Sequence, residues 1–240
     1  MTEVLQTPER HSLWRTLILH LAPGALLTSA FLIAAPVVNR AGGSSYLALL
    51  LCIPLILVPF EVGVLLFEQR RTGCSWRSII TPLGSPRVSI LEILLSVVAL
   101  YAISGVAILL TASSRTAILG TVAHWLPPWA IVDGFPESIS AGTLLLGLLL
   151  SGLVAPIVEE LYFRGFLMAR IPVAWAWGPA VNAALFSIYH FFSPWNYVAI
   201  FTVFLPLAYY VRLRGNLLPA IITHCLFNSV GIVVALVGLL

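Results

Sequence analysis

The sequence predicts an all-α protein that crosses a membrane several times, and three observations carry that expectation. Of its 240 residues, 60% are apolar and only 9% are charged, against roughly 25% charged for an ordinary soluble domain. The mean hydropathy is +1.04. The apolar residues also run in stretches long enough to cross the roughly 30 Å hydrocarbon core of a bilayer. No stretch is left over for a separate soluble domain, so residues 1–240 are expected to form a single membrane domain.

The spans follow in order. The first runs from Leu13 to Val38 after a polar stretch ending at Ser12, and it is longer than the apolar region of a cleaved signal peptide. The others are expected at Tyr46 to Phe67, Val88 to Ala112, Ser140 to Met168, Trp175 to Phe192, Tyr197 to Val211 and Leu217 to Leu240. The sixth has only about 15 residues and reads as a thin or partly re-entrant segment. Between the third and fourth, Ser113 to Ser138 carries Trp125, Pro127, Pro128, Trp129, Asp133, Pro136 and Glu137. It is too polar and too proline-broken to span, and its tryptophans suit an interfacial segment.

With seven alternating spans, Arg10, Arg15, Arg70, Arg71, Arg77, Arg87, Arg170, Arg212 and Arg214 all fall on one side. The other side keeps Arg40 and Arg115. The positive-inside rule therefore puts the N-terminus in the cytoplasm and the C-terminus outside. The expected location is the inner, cytoplasmic membrane of a bacterium, as a compact chain without targeting extensions suggests. Small residues at four-residue spacing, such as Gly147 and Ser151, allow close helix packing.

Composition excludes several chemistries. All 12 basic residues are arginine, so neither a lysine Schiff base nor a Ser-Lys dyad can be built. The one aspartate, Asp133, rules out an aspartyl pair sharing a proton. Dispersed arginines at the ends of apolar runs argue against nucleic acid as a partner. Cys52, Cys74 and Cys225 are far apart and form neither a disulfide framework nor a CxxC site. HExxH, GxSxG, phosphate-loop and dinucleotide signatures are absent.

An ionisable group at mid-membrane costs on the order of 2.5 to 3.5 kcal/mol on insertion scales, so clusters of them point to function. Three occur: Glu159, Glu160 and Arg164 in VEELYFRG, Phe186 and His190 in FSIYH, and His224 and Asn228 in HCLFN. Glu160 and Arg164 stand at i and i+4, as an ion pair on one helix face requires. Glu159, about 100° round the helix, lacks such a partner and suits general-base work. His224 and Asn228 share a face by the same spacing and can donate to a developing oxyanion. Phe186 sits one turn before His190 and reads as a packing wall. At about 1.5 Å per residue, Glu159, His224 and His190 lie about 16, 12 and 18 Å from the arginine-rich side. They can therefore meet at one level, in a cavity expected to open toward the cytoplasm. The set can activate water for attack on an amide. Glu159, His190 and His224 are also a recognised ligand set for a divalent metal such as zinc, which makes metal-assisted hydrolysis the second choice.

In this order the clusters resemble the CPBP family of intramembrane proteases, the Rce1-like CAAX proteases and the Abi or bacteriocin-processing proteins, whose pattern is EExxxR, FxxxH and HxxxN. All seven positions match, within Ser140 to the C-terminus; the first half matches only as a set of membrane spans. The resemblance implies a helical membrane endopeptidase in which Glu159 and His190 activate water. It further implies that His224 and Asn228 form the oxyanion site and that Glu160 and Arg164, with Phe186, support it. Both metal-dependent and glutamate-dependent members have been described, so no cofactor is required by the pattern. The implied substrate is a membrane-anchored or lipidated protein or peptide. Seven spans rather than the eight of eukaryotic-type relatives favour a bacterial relative with a substrate other than a prenylated tail.

Other polar residues receive plainer readings. Glu61, Glu68 and Glu92 are expected to snorkel at span ends or pair with Arg70, Arg71 and Arg87. His11, His20 and His124 belong to no motif, and Trp175, Trp177 and Trp195 are expected to anchor span ends. A proton-coupled transporter could use the same buried cluster, and so could a non-catalytic immunity or scaffold protein. Transporters, however, tend to carry matched features in both halves, and here the motif clusters all lie in the second.

Overall fold

The computed structural model describes residues 9–80, 88–136 and 138–239, and Arg87, Glu137 and Leu240 lie outside them. The described residues form helices and no strands. In chain order these are α1 (Leu13–Arg40), α2 (Ser45–Thr72), α3 (Trp76–Ile80), α4 (Ile90–Val122), α5 (Ala141–Arg170), α6 (Gly178–Tyr189), α7 (Tyr197–Arg214) and α8 (Leu218–Val237).

Local chemistry sets the boundaries. Four helices start after a serine whose side-chain oxygen accepts a backbone N–H three residues on. Ser12 accepts from Arg15 at 3.2 Å, and Ser44, Ser89 and Ser140 accept from Leu47, Glu92 and Thr143 at 3.1 Å. Each cap satisfies an N–H that has no partner within its helix. α2 and α7 stop at Gly73 and Gly215, with φ of 65° and 64°, a left-handed turn that glycine adopts without a side-chain clash.

Six helices are long and apolar enough to cross a membrane: α1, α2, α4, α5, the Pro194–Arg214 stretch ending in α7, and α8. The chain is thus an all-α, multi-pass membrane protein. Two expected boundaries need correction. The sixth stretch is not the short one, because α7 continues to Arg214. The fifth is short instead: α6 has 12 residues, about 18 Å of helix, since Pro179 sits at its start and the chain leaves the helix at His190. α4 also runs on through Val122, so Ser113 to Val122 is a helical extension and not an irregular interfacial segment.

α5 is central and packs against α1, α2, α3, α6 and α8. Its Tyr162, Phe163, Phe166 and Leu167 are completely buried. Outward-facing apolar residues such as Leu109 and Leu110 on α4 are 76% and 78% exposed, as expected of a surface solvated by lipid.

Helix ends gather on two faces. On the arginine-rich face Arg15 pairs with Glu68 at 3.1 Å, Arg214 pairs with Glu92, and His11 N–H donates to the Arg170 carbonyl at 2.8 Å. On the opposite face Arg115 pairs with Asp133, Asn39 donates to Ser45 at 2.9 Å, and Tyr46 packs edge-on against Phe135. The described ends of α1, α2, α4 and α5 thus fall on the faces the arginine pattern assigned them, although six helices and not the expected seven are long enough to span.

Candidate active site

The geometry of α5 starts from Pro156. Proline has no N–H to donate and its ring crowds the preceding turn. α5 relaxes into a wide π-helical turn before it, Leu150–Val154, and a second wide stretch follows at Glu160–Leu167, a distortion often found at functional sites. Glu159 and Glu160 lie at the start of the second wide turn.

Glu160 Oε1 is 3.0 Å from His224 Nδ1 and 3.1 Å from Arg164 Nη1. All three residues are at most 2% exposed. The Arg164 guanidinium also lies 4.0 Å from the centre of the Phe186 ring and 4.9 Å from that of Phe204, so two aromatic faces share its charge. The expected i, i+4 pair is present, and Phe186 is the wall it was expected to be. It stacks under Arg164 and meets His190 edge-on at 4.9 Å.

Glu159 finds its partners on other helices. Tyr189 donates its hydroxyl to Glu159 Oε1 at 2.8 Å, and His224 Nε2 lies 3.7 Å from Glu159 Oε2. His224 therefore stands between the two glutamates, one ring nitrogen toward each. His190 Nδ1 is 2.8 Å from the Phe186 carbonyl. That bond makes Nδ1 the protonated nitrogen and leaves Nε2 as an acceptor. Asn228 donates one side-chain N–H to the Ser151 carbonyl at 3.0 Å and keeps the second.

Glu159, His190, His224 and Asn228 line one cavity of about 410 Å³, together with Tyr189 and mostly apolar side chains, within the size range of small-molecule sites. The expected direction of the opening changes. The cavity does not lead toward the arginine-rich face, because on that side α5 is closed by Arg164, Phe163 and Phe166, each at most 1% exposed. Among the described residues no three His, Cys, Asp or Glu side chains are grouped closely enough, as placed, to hold an ion.

Arg170 takes no part in the glutamate network. It donates to the Phe166 carbonyl at 2.7 Å and stacks on that ring. Glu68 pairs with Arg71 as expected and also with Arg15, and Glu92 pairs with Arg214 in place of the arginines named for it. Glu61 does neither. It is completely buried, with no hydrogen-bond partner on either carboxylate oxygen among the described residues. Because α2 runs on to Thr72, Glu61 lies about 16 Å inside the helix end, too deep to snorkel. It is within electrostatic range of Glu159 and Arg164.

Tyr189 is the contact that the sequence reading missed. Its only signal is adjacency to His190, and tyrosine in an apolar helix otherwise reads as packing. Gly24 of α1 makes that contact possible: a Cβ there would stand 2.7 Å from the Tyr189 ring. His20 is structural. Its ring nitrogens lie 2.7 Å from the Thr16 carbonyl and 3.2 Å from Asn182.

No curated protein and no solved structure matches the chain. Residues 141–230, which hold every motif position from Glu159 to Asn228, match the family of type II CAAX prenyl endopeptidases, Rce1-like, and over that segment the chain is similar to these intramembrane proteases.

Proposed function

We propose that the protein is an intramembrane endopeptidase that hydrolyses a peptide bond in a membrane-anchored polypeptide, in the inner membrane of a bacterium. The observation that carries this reading is the shared cavity of Glu159, His190, His224 and Asn228, next to the match of residues 141–230 to a protease family.

In the proposed reaction a water molecule sits between Glu159 and the acceptor nitrogen of His190. Glu159 takes a proton from the water as its oxygen attacks the scissile carbonyl carbon. The carbonyl π pair moves onto oxygen, and the oxyanion accepts hydrogen bonds from the remaining Asn228 N–H and from His224 Nε2–H when that ring is doubly protonated. Glu160 orients His224 through Nδ1, and Arg164 fixes Glu160. Collapse of the tetrahedral intermediate breaks the C–N bond, and the proton held by Glu159 passes to the leaving amine.

The test compares protein termini by mass spectrometry in membranes from cells making the wild type or Glu159→Ala at matched expression. New termini found only with the wild type support the proposal and identify the substrate. Identical sets would overturn it and return the cluster to a proton relay in a transporter, or to a scaffold.

A further inference from the structure

We infer that the substrate enters the catalytic cavity from the arginine-poor, non-cytoplasmic face, as an unwound apolar segment whose scissile bond lies in the outer half of the bilayer. The inference rests on the endopeptidase reading for what happens in the cavity and on the structure for how the cavity is reached.

The cavity has a direction. Its polar end is Glu159, His190 and His224, and its walls climb away from the arginine-rich face. Along α5 they pass from Glu159 through Ala155 to Ser151, and along α8 from His224 through Asn228 to Ile232. On α2 they reach Tyr46, the second residue of that helix. None of these walls extends below the Glu160–Arg164 pair, where the packing is closed. A tail presented from the arginine-rich side would meet that closed end.

A second cavity, of about 790 Å³, lies at the arginine-poor face between the start of α2 and residues 128–136 and 138–143. Tyr46 and Phe135 line both cavities. Their rings meet edge-on with centres 5.1 Å apart, and the Tyr46 hydroxyl is buried with no hydrogen-bond partner among the described residues. The two rings are therefore the partition between an outer vestibule and the catalytic cavity. Arg115 braces this mouth. It reaches from α4 to Asp133 of the covering segment and to Asn196 of the inner cavity wall, the latter at 2.9 Å.

Chemistry then narrows the substrate. Leu49, Ile53, Ile200, Val203 and Phe227 face the passage, so most of its wall favours apolar side chains over charged ones, whose desolvation is costly. By the positive-inside rule the opposite, arginine-rich face is the cytoplasmic one. The peptide that fits is the outer part of a membrane-spanning or translocated apolar segment, not a polar tail in the cytoplasm.

The test uses Phe135→Cys in a chain whose Cys52, Cys74 and Cys225 are alanine, with a bulky membrane-impermeant maleimide added either to spheroplasts or to inverted membrane vesicles. Each preparation's rate of forming Glu159-dependent termini before modification serves as its reference. The expected result is labelling in spheroplasts only, with at least a tenfold fall in those termini. Thr143→Cys, which lines the outer vestibule alone, repeats the labelling in case the first variant does not fold. Labelling confined to inverted vesicles overturns the inference, as does labelling from outside with unchanged cleavage. If no termini depend on Glu159, the endopeptidase reading fails, and the labelled side still decides which face the cavity serves.

Discussion

Tyr189 donates its hydroxyl hydrogen to Glu159 at 2.8 Å, so the carboxylate proposed as the base is held by a group from the short helix α6 and not from its own helix. A hydrogen bond to a charged group contributes about 1.5–3 kcal/mol, roughly ten- to a hundredfold in rate if it positions the base. Tyr189→Phe is therefore expected to cut the rate of Glu159-dependent cleavage by that factor while leaving the melting temperature near that of the wild type. A Tyr189→Phe enzyme with the wild-type rate would show that this bond does not position Glu159.

The Glu160–Arg164 pair is completely enclosed, and removing one partner strands the other as a buried charge. Breaking such a pair costs about 3–5 kcal/mol. Glu160→Ala and Arg164→Ala are expected to lower both thermal stability in detergent and cleavage, whereas Glu159→Ala lowers cleavage alone. Arg164→Lys keeps the charge but loses the planar stack between Phe186 and Phe204, so its melting temperature should fall between the two. Wild-type melting of Arg164→Ala would contradict the structural role given to the pair.

His11 lies outside the spans, where burial first, and then the Arg15 and Arg170 guanidiniums, lower its pKa from 6.5 to about 4. The unfolded chain therefore binds a proton here that the folded chain refuses between those two values. The neutral ring's contribution to stability is complete above about pH 6.5 and is lost as pH falls toward 4. His11→Gln removes that titration. The fall in melting temperature over this window should be smaller for the variant than for the wild type, and equal slopes would refute the assignment.

Much of the candidate site was legible because helical spacing is local. Glu160 with Arg164 is an i, i+4 pair whose meeting requires only that the segment be helical, and α5 supplies it. The start of the first span after Ser12 was equally local. Glu61 shows the opposite case. Its polarity and nearby arginines suggested a span end, but its depth depends on where α2 stops, and the cap at Gly73 sets that. The length of α6 escaped for a related reason: hydropathy records which residues tolerate lipid, not where the backbone leaves the helix, and the chain does so at His190.

What the sequence by itself determined is the class of solvent and the inventory of chemistry. So few charges force the chain into a bilayer. The absence of lysine and the single aspartate remove whole mechanisms, and three spaced motifs name seven residues. The tertiary structure alone decided the pairing and the direction: His224 between the two glutamates, Tyr189 on Glu159, and a cavity leading to the arginine-poor face. Spacing within a helix fixes which side chains share a face of that helix. Which helices meet, at what depth and around which opening follows from packing between elements far apart in the chain, and composition carries no record of that.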